Sequence, residues 1–203
     1  MRMMFVRTLC LIGLISSVAT FARAEGDSIE GKKKFYTCQG CHSVAGYTNT
    51  YPTYHVPRLG GQHADYVVAA LLAYKEGERK HGSMQGNADN LSEQDMEDIA
   101  AYVSKFRGMN SSLPTTGNPV AGQKKSAMCT SCHSEDGNSQ NQMFPRLAGQ
   151  YESYLIRALT EYKSGERANP MMMGFASTLS EEDIRDIAAY YASQKKGLTL
   201  PAD

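Results

Sequence analysis

Two five-residue stretches carry the most specific chemistry in the chain: Cys38-Gln39-Gly40-Cys41-His42 and Cys129-Thr130-Ser131-Cys132-His133. In each, two thiols stand two residues apart and an imidazole follows at once. On a helix that spacing lets both sulfurs reach one edge of a bound group. Cys-x-x-Cys-His is the attachment sequence for a c-type haem, in which the thiols add to the two porphyrin vinyls and the histidine becomes the proximal iron ligand. Other chemistries fit less well. Four cysteines in an exported protein read by default as two disulfides, a thioredoxin-like dithiol would not require the histidine, and a zinc site would pool four ligands. Two copies, each followed by histidine, favour two covalent haems, held through Cys38, Cys41, Cys129 and Cys132, with His42 and His133 on the irons.

The motifs sit inside a longer repeat. Pro57-Arg58-Leu59-Gly60-Gly61-Gln62 recurs 88 residues later as Pro145-Arg146-Leu147-Ala148-Gly149-Gln150. Tyr74-Lys75-Glu76-Gly77-Glu78-Arg79 and Leu91-Ser92-Glu93-Gln94-Asp95 recur at the same offset, whereas the cysteine motifs are 91 apart. The first copy therefore has three extra residues after its histidine, expected as a longer surface loop between Gly46 and His55. The two halves are copies of one unit. The Gly-, Pro-, Ser- and Asn-rich stretch from Gly108 to Pro119 marks the linker, and a cut at Leu113/Pro114 gives units of 25–113 and 114–203.

The repeat also selects a sixth iron ligand. Met84 lies in the polar stretch Lys80–Gly86, a poor place for core packing, and the offset of 88 places Met172 opposite it within Met171-Met172-Met173. Methionine opposite histidine closes the iron's coordination sphere and raises its potential. Met171 and Met173 are expected as gap fillers. His55, His63 and His81 have no counterpart in the second half. One of them in place of Met84 would give a lower-potential bis-histidine iron; otherwise such loop histidines are expected to be solvated. Arg58 and Arg146 suit a bidentate bond to a haem propionate, or are ordinary surface charges.

These side chains need helices to position them. A segment from Asp27 to Tyr36 runs into the first cysteine pair. Ala64–Glu76 places Tyr66, Val67, Ala70, Leu71 and Tyr74 on one face at spacings of three and four. Ser92 with Asp95 forms a capping box opening a helix whose buried stripe is Met96, Ile99, Ala100, Val103 and Phe106; Ser180, Asp183, Ile184, Ile187, Ala188 and Tyr191 repeat it. No convincing strand alternation appears, so the class is all-α. A unit of about 90 residues with a few short helices has a limited core of its own, which a large apolar cofactor would complete.

Composition sets the setting. Arg2 and Arg7 precede an uncharged run from Leu9 to Phe21 that ends at Ala22-Arg23-Ala24, the pattern of a signal peptide spanning 1–24. The run falls short of the roughly 20 residues a membrane span needs. Cys10, after bulky Leu9, does not suit lipid attachment. Without the leader the chain has 18 basic and 21 acidic residues, which offers nothing to a nucleic acid. Export agrees with haem attachment, which takes place in the periplasm or an equivalent compartment.

The two Cys-x-x-Cys-His motifs, the Pro-Arg-Leu-x-Gly-Gln segments and the methionine followed by Leu-Ser-x-x-Asp resemble the diheme cytochrome c4 family across essentially all of residues 25–203. That resemblance implies two tandem class I cytochrome c domains, each wrapped around one haem. It implies that the Pro57 and Pro145 carbonyls accept the second N–H of His42 and His133, and that Gly31 and Gly122 lie where the first helix crosses the last, near Tyr102 and Tyr190. It further implies a soluble or loosely membrane-associated periplasmic carrier, passing single electrons from a quinol-oxidising complex such as cytochrome bc1 to a terminal oxidase. The rival readings are a diheme subunit of a dehydrogenase and a diheme peroxidase, an enzyme that would need one open iron position. No catalytic residue is expected for the carrier.

Overall fold

The computed structural model describes residues 25–109 and 113–201, so the expected signal peptide, 1–24, lies outside the described residues. The first half contains α1 (Ser28–Lys34), α2 (Tyr36–His42), α3 (Ala64–Lys75), α4 (Gly82–Ala88) and α5 (Glu93–Val103). A short strand β1 (Arg107–Met109) follows. The second half repeats the order with α6 (Pro119–Lys125), a 3-10 turn (Ser126–Cys129), α7 (Thr130–His133), α8 (Glu152–Ser164), α9 (Pro170–Ser177) and α10 (Glu181–Ala192), then β2 (Lys196–Leu198). The architecture is all-helical apart from the pair β1–β2.

Each half is closed by the crossing of its first helix over its last. Glycine permits it: a Cβ on Gly31 would stand 1.9 Å from the Asp98 carbonyl oxygen, and one on Gly122 would stand 1.9 Å from that of Asp186. Tyr102 and Tyr190 flank these contacts, as the family resemblance implies. Buried Asp98 and Asp186 lock the crossing. Asp98 accepts from the Asp27 backbone N–H (2.8 Å) and pairs with Lys34 (2.6 Å); Asp186 does the same with Asn118 (2.9 Å) and Lys125 (2.7 Å). Lys34 and Lys125 also reach Asp95 and Asp183, the capping-box acids of α5 and α10.

The cores behind the crossings differ by one exchange. In the first half Phe35 and Val103 are fully buried; the equivalent places in the second half hold Ser126 and Tyr191. The large ring comes from the first helix in one half and from the last in the other, which conserves volume. The Tyr191 hydroxyl lies beside Ser126 without a hydrogen bond of normal geometry.

Three features depart from the sequence expectation. The stretch holding Met84 is the helix α4, not an open loop: His81 Nδ1 accepts the Met84 N–H, and Ala88 packs into the core. Tertiary contact overrides the weak helix propensity of Gly82 and Gly86. The chain after α10 bonds both halves: Leu198 N–H donates to the Ala148 carbonyl (2.8 Å) of its own half. β2 pairs antiparallel with β1, Thr199 and Gly60 exchange backbone hydrogen bonds (2.8 and 2.9 Å), and Ser43 donates to the Pro201 carbonyl. Finally, the long loop is only partly a surface loop. Tyr51 is exposed, but His55 stacks on Tyr151 (4.7 Å) and bonds Ser153 (2.9 Å) in the other half.

Gly122→Ala should destabilise the protein by at least about 2 kcal/mol in denaturant titration, because the added methyl meets backbone, whereas Gly86→Ala, with nothing near its Cβ, should gain a few tenths. The Ser180 cap, with Lys125, holds Asp183 down at about 2, and Lys125 holds Asp186 low as well. Folded values below the ordinary carboxylate range contribute stability that is present above pH ~4 and lost as pH falls through them. Helical ellipticity should therefore collapse between about pH 4 and 2, and Lys125→Met should raise the midpoint; an unmoved midpoint would refute the role of this cluster.

Candidate haem-attachment sites

In the first half α2 carries the whole cysteine motif, so the thiols of Cys38 and Cys41 stand one turn apart. Cys38 packs against the core and Cys41 is exposed. In the second half the motif begins in the 3-10 turn and ends on α7, with Cys129 against its core. All four sulfurs are free of disulfides. Burial pushes the Cys38 and Cys129 thiols up from their ordinary value. Among the described residues no three His, Cys, Asp or Glu side chains come together to hold a metal ion, so the pooled zinc reading finds no place.

Each motif histidine is buried and held from behind. His42 Nδ1 donates to the Pro57 carbonyl and His133 Nδ1 to that of Pro145, both at 2.9 Å. Burial lowers the affinity of both rings for a second proton, and the proline carbonyls oppose this only in part. With the proton placed on Nδ1, the neutral ring keeps its lone pair on Nε2, the state and orientation a metal ligand needs.

A thioether is supplied from a separate helix in each half. Met84 is half-buried, and its backbone N–H is capped by His81 (3.3 Å); Met172 is half-buried, with its N–H capped by Asn169 Oδ1 (3.0 Å). The two methionines thus hold the same place relative to their caps. Met171 is 56% exposed and fills no core; the Met173 methyl would stand 3.8 Å from a Cβ placed on Gly165. Two free thiols and a neutral imidazole from the motif, with a thioether from a separate helix, are the donor types of a covalently bound haem.

The unrepeated histidines are not simply solvated. His63 is buried and its Nε2 donates to the Ser139 carbonyl (2.8 Å). His55 is committed to Ser153, and His81 caps α4.

Arg58 and Arg146 are not surface charges either, at 5% and 6% exposure. They lie in the seam between the halves, where the two Pro-Arg-Leu segments meet. Gln62 reads both backbone groups of Arg146, accepting its N–H (2.9 Å) and donating to its carbonyl (3.0 Å). Gln150 reads Arg58 in the same way, both at 2.9 Å. Each guanidinium donates across the seam, Arg58 to the Gly149 carbonyl and Arg146 to that of Gly61. Both glycines adopt left-handed backbone, φ 70° and 81°, which favours glycine in these turns. Burial depresses the Arg58 guanidinium, with Tyr151 beneath it at 4.0 Å opposing the shift. The sequence reading gave no site role to Arg79, Arg167, Tyr66 or Tyr154, which meet in the same seam. The recurrence of Tyr-Lys-x-Gly-Glu-Arg was the signal for the two arginines.

The sequence profile described as Cytochrome c matches residues 28–106 and again 119–195. Among curated proteins, cytochrome c-552 of Acidithiobacillus ferridurans is 32% identical over 197 residues, covering 89% of this chain and 83% of that one. A thiosulfate dehydrogenase electron acceptor of Thiomonas intermedia is 26% identical over 180 residues, covering 82% of each. Among solved structures, a cytochrome c4 of Acidithiobacillus ferrooxidans superposes with a TM-score of 0.70 at 32% identity, covering 78% of this chain and 99% of that one. The chain therefore belongs to the cytochrome c family, as two cytochrome c domains in tandem of the diheme cytochrome c4 kind, each with one covalently attached haem c.

Proposed function

We propose that the protein is a periplasmic electron carrier that accepts and passes on one electron at a time at each of two six-coordinate irons. The observation that carries this reading is the equivalence of the two ligand sets. In both halves a buried imidazole is fixed by a proline carbonyl, and a capped methionine stands on a separate helix. Bound haem supplies a one-electron ferric–ferrous couple. Cys38, Cys41, Cys129 and Cys132 anchor it through thioethers. His42 and His133 would hold the iron through Nε2, with Pro57 and Pro145 fixing their rings, and Met84 and Met172 would supply its second protein ligand. Arg58 and Arg146 serve the propionates beside their seam bonds. Ligands held this firmly move little when the charge changes, which suits outer-sphere transfer. A histidine and a methionine for each iron would leave no open position for peroxide, which argues against a peroxidase.

In this reading residues 1–24 direct export, and 25–113 and 114–203 are the two domains. Among the described residues no helix is long and apolar enough to cross a membrane. The carrier would run from a quinol-oxidising complex such as cytochrome bc1 to a terminal oxidase. A second route has a specific observation behind it: the similarity to a thiosulfate dehydrogenase electron acceptor favours a dehydrogenase as donor, or a place as its haem subunit. Reduction of the purified protein by each candidate donor, followed in the visible, separates the two.

The mature protein should weigh two haems more than its amino acids and keep its colour in acidified organic solvent. The double substitution Cys129→Ser/Cys132→Ser should lower that mass by one haem; an unchanged mass would remove the second attachment site. Met172→Ala should abolish half of the weak long-wavelength ferric band that methionine ligation gives, and lower one of the two potentials by more than about 0.1 V, within the roughly 0.8 V that axial ligands span. Met171→Ala and Met173→Ala should leave both intact.

A further inference from the structure

The two halves differ at one buried hydroxyl. Tyr191 is 1% exposed, and among the described residues its hydroxyl is the buried side-chain polar atom left without a hydrogen-bond partner. The offset of 88 sets Val103 against it in the first half, where the buried ring is the all-carbon Phe35. A buried hydroxyl with no partner is costly, and a place that needed only bulk would be filled as well by phenylalanine.

The ring has little room to turn. It packs beside Tyr190, with ring centres 5.1 Å apart, and a Cβ on Gly137 would stand 2.7 Å from it. Its hydroxyl is thereby held beside Ser126. Ser126 is fully buried, and its own hydroxyl donates to the Gln123 carbonyl (3.0 Å). Ser126 opens the 3-10 turn that Cys129 closes, and in such a turn side chains three residues apart eclipse. The Cys129 sulfur therefore stands on the same face of the turn, packed against the apolar cluster that holds Tyr191. Burial first, and Cys129 nearby, push the phenol up, so it keeps a proton to donate.

We propose that the Tyr191 hydroxyl tunes the second haem, donating to the Cys129 sulfur once that sulfur carries the porphyrin. This rests on the reading that Cys129 forms a thioether to haem c. Thioether sulfur keeps lone pairs that accept weakly. A donated hydrogen bond draws electron density from the sulfur and from the ring edge joined to it, which favours the reduced iron. Val103 has nothing to donate at the matching place; Cys38 instead meets the Thr37 hydroxyl at 3.8 Å on its exposed side.

The test compares wild-type holoprotein with Tyr191→Phe, which keeps the ring, and with Ser126→Ala. Intact mass comes first, so that a chain without haem, which sinks the underlying reading, is told apart from failure of this proposal. Tyr191→Phe should shift one reduction equilibrium toward the oxidised form by about threefold, or about 28 mV for a one-electron wave. That wave should be the one Met172→Ala also lowers. A carbon–sulfur stretching band of the thioethers should move with it in the resonance Raman spectrum. Denaturant should unfold Tyr191→Phe earlier than wild type, because a bonded hydroxyl is lost; removal of an idle one would have the opposite sign. Ser126→Ala should leave the potentials and the band in place, and if it yields no holoprotein, Tyr191→Phe decides alone. The proposal is overturned if the wave or the band stays put in Tyr191→Phe, if both waves move equally, or if that variant is the more stable protein. It is also overturned if Ser126→Ala reproduces the shift, which would make the serine the group that acts on the haem.

Discussion

The hydrogen bond from a buried imidazole to a proline carbonyl is the contact on which the rest of the molecule turns. Pro57 fixes His42, and the next residue, Arg58, has its backbone N–H and carbonyl both bound by Gln150 of the other half. Pro145 and Arg146 repeat the arrangement with His133 and Gln62. The prolines that hold the imidazoles are therefore next in sequence to the seam arginines, twice over. A side-chain amide that reads both backbone groups of its partner leaves little freedom to slide, since either group, left buried and unpaired, would be costly. The orientation of each imidazole is in this way coupled to the docking of the halves.

Around that fixed centre the two copies diverge in ways that do not disturb it. The core ring is supplied by Phe35 in one half and by Tyr191 in the other. The cap ahead of the methionine is a histidine in one and an asparagine in the other, and both accept the same backbone N–H. The longer first loop contributes a stacked His55 to the face of the second half, whereas the shorter second loop offers only its Ser139 carbonyl to His63 in return. The surroundings of the two irons are thus similar in ligands and unlike in second neighbours, the level at which potentials are tuned.

The tail after α10 adds a further tie. By pairing β2 with β1 and bringing Pro201 to Ser43, it carries the end of the second half to the residue beside His42. The halves are separate in sequence and joined in space by the central segments, the first loop and the tail. An electron carrier with two irons gains from this, because a fixed seam fixes the distance between them.

The sequence alone determined the chemistry and the repeat, because both are written in short-range spacing. Two thiols and an imidazole within five residues read the same in any fold, and a constant offset of 88 picks out Met172 without reference to coordinates. The crossing glycines were legible through the family likeness, and the capping boxes through their own residues. The seam was not legible. That Arg58, Arg146, Arg79 and Arg167 are buried follows from contacts between residues 75 to 101 positions apart, and nothing local distinguishes a buried arginine from a solvated one. The helix around Met84 and the strand at the end of the chain are of the same kind. Their local propensities are weak, and tertiary contact supplies the free energy that selects their conformation.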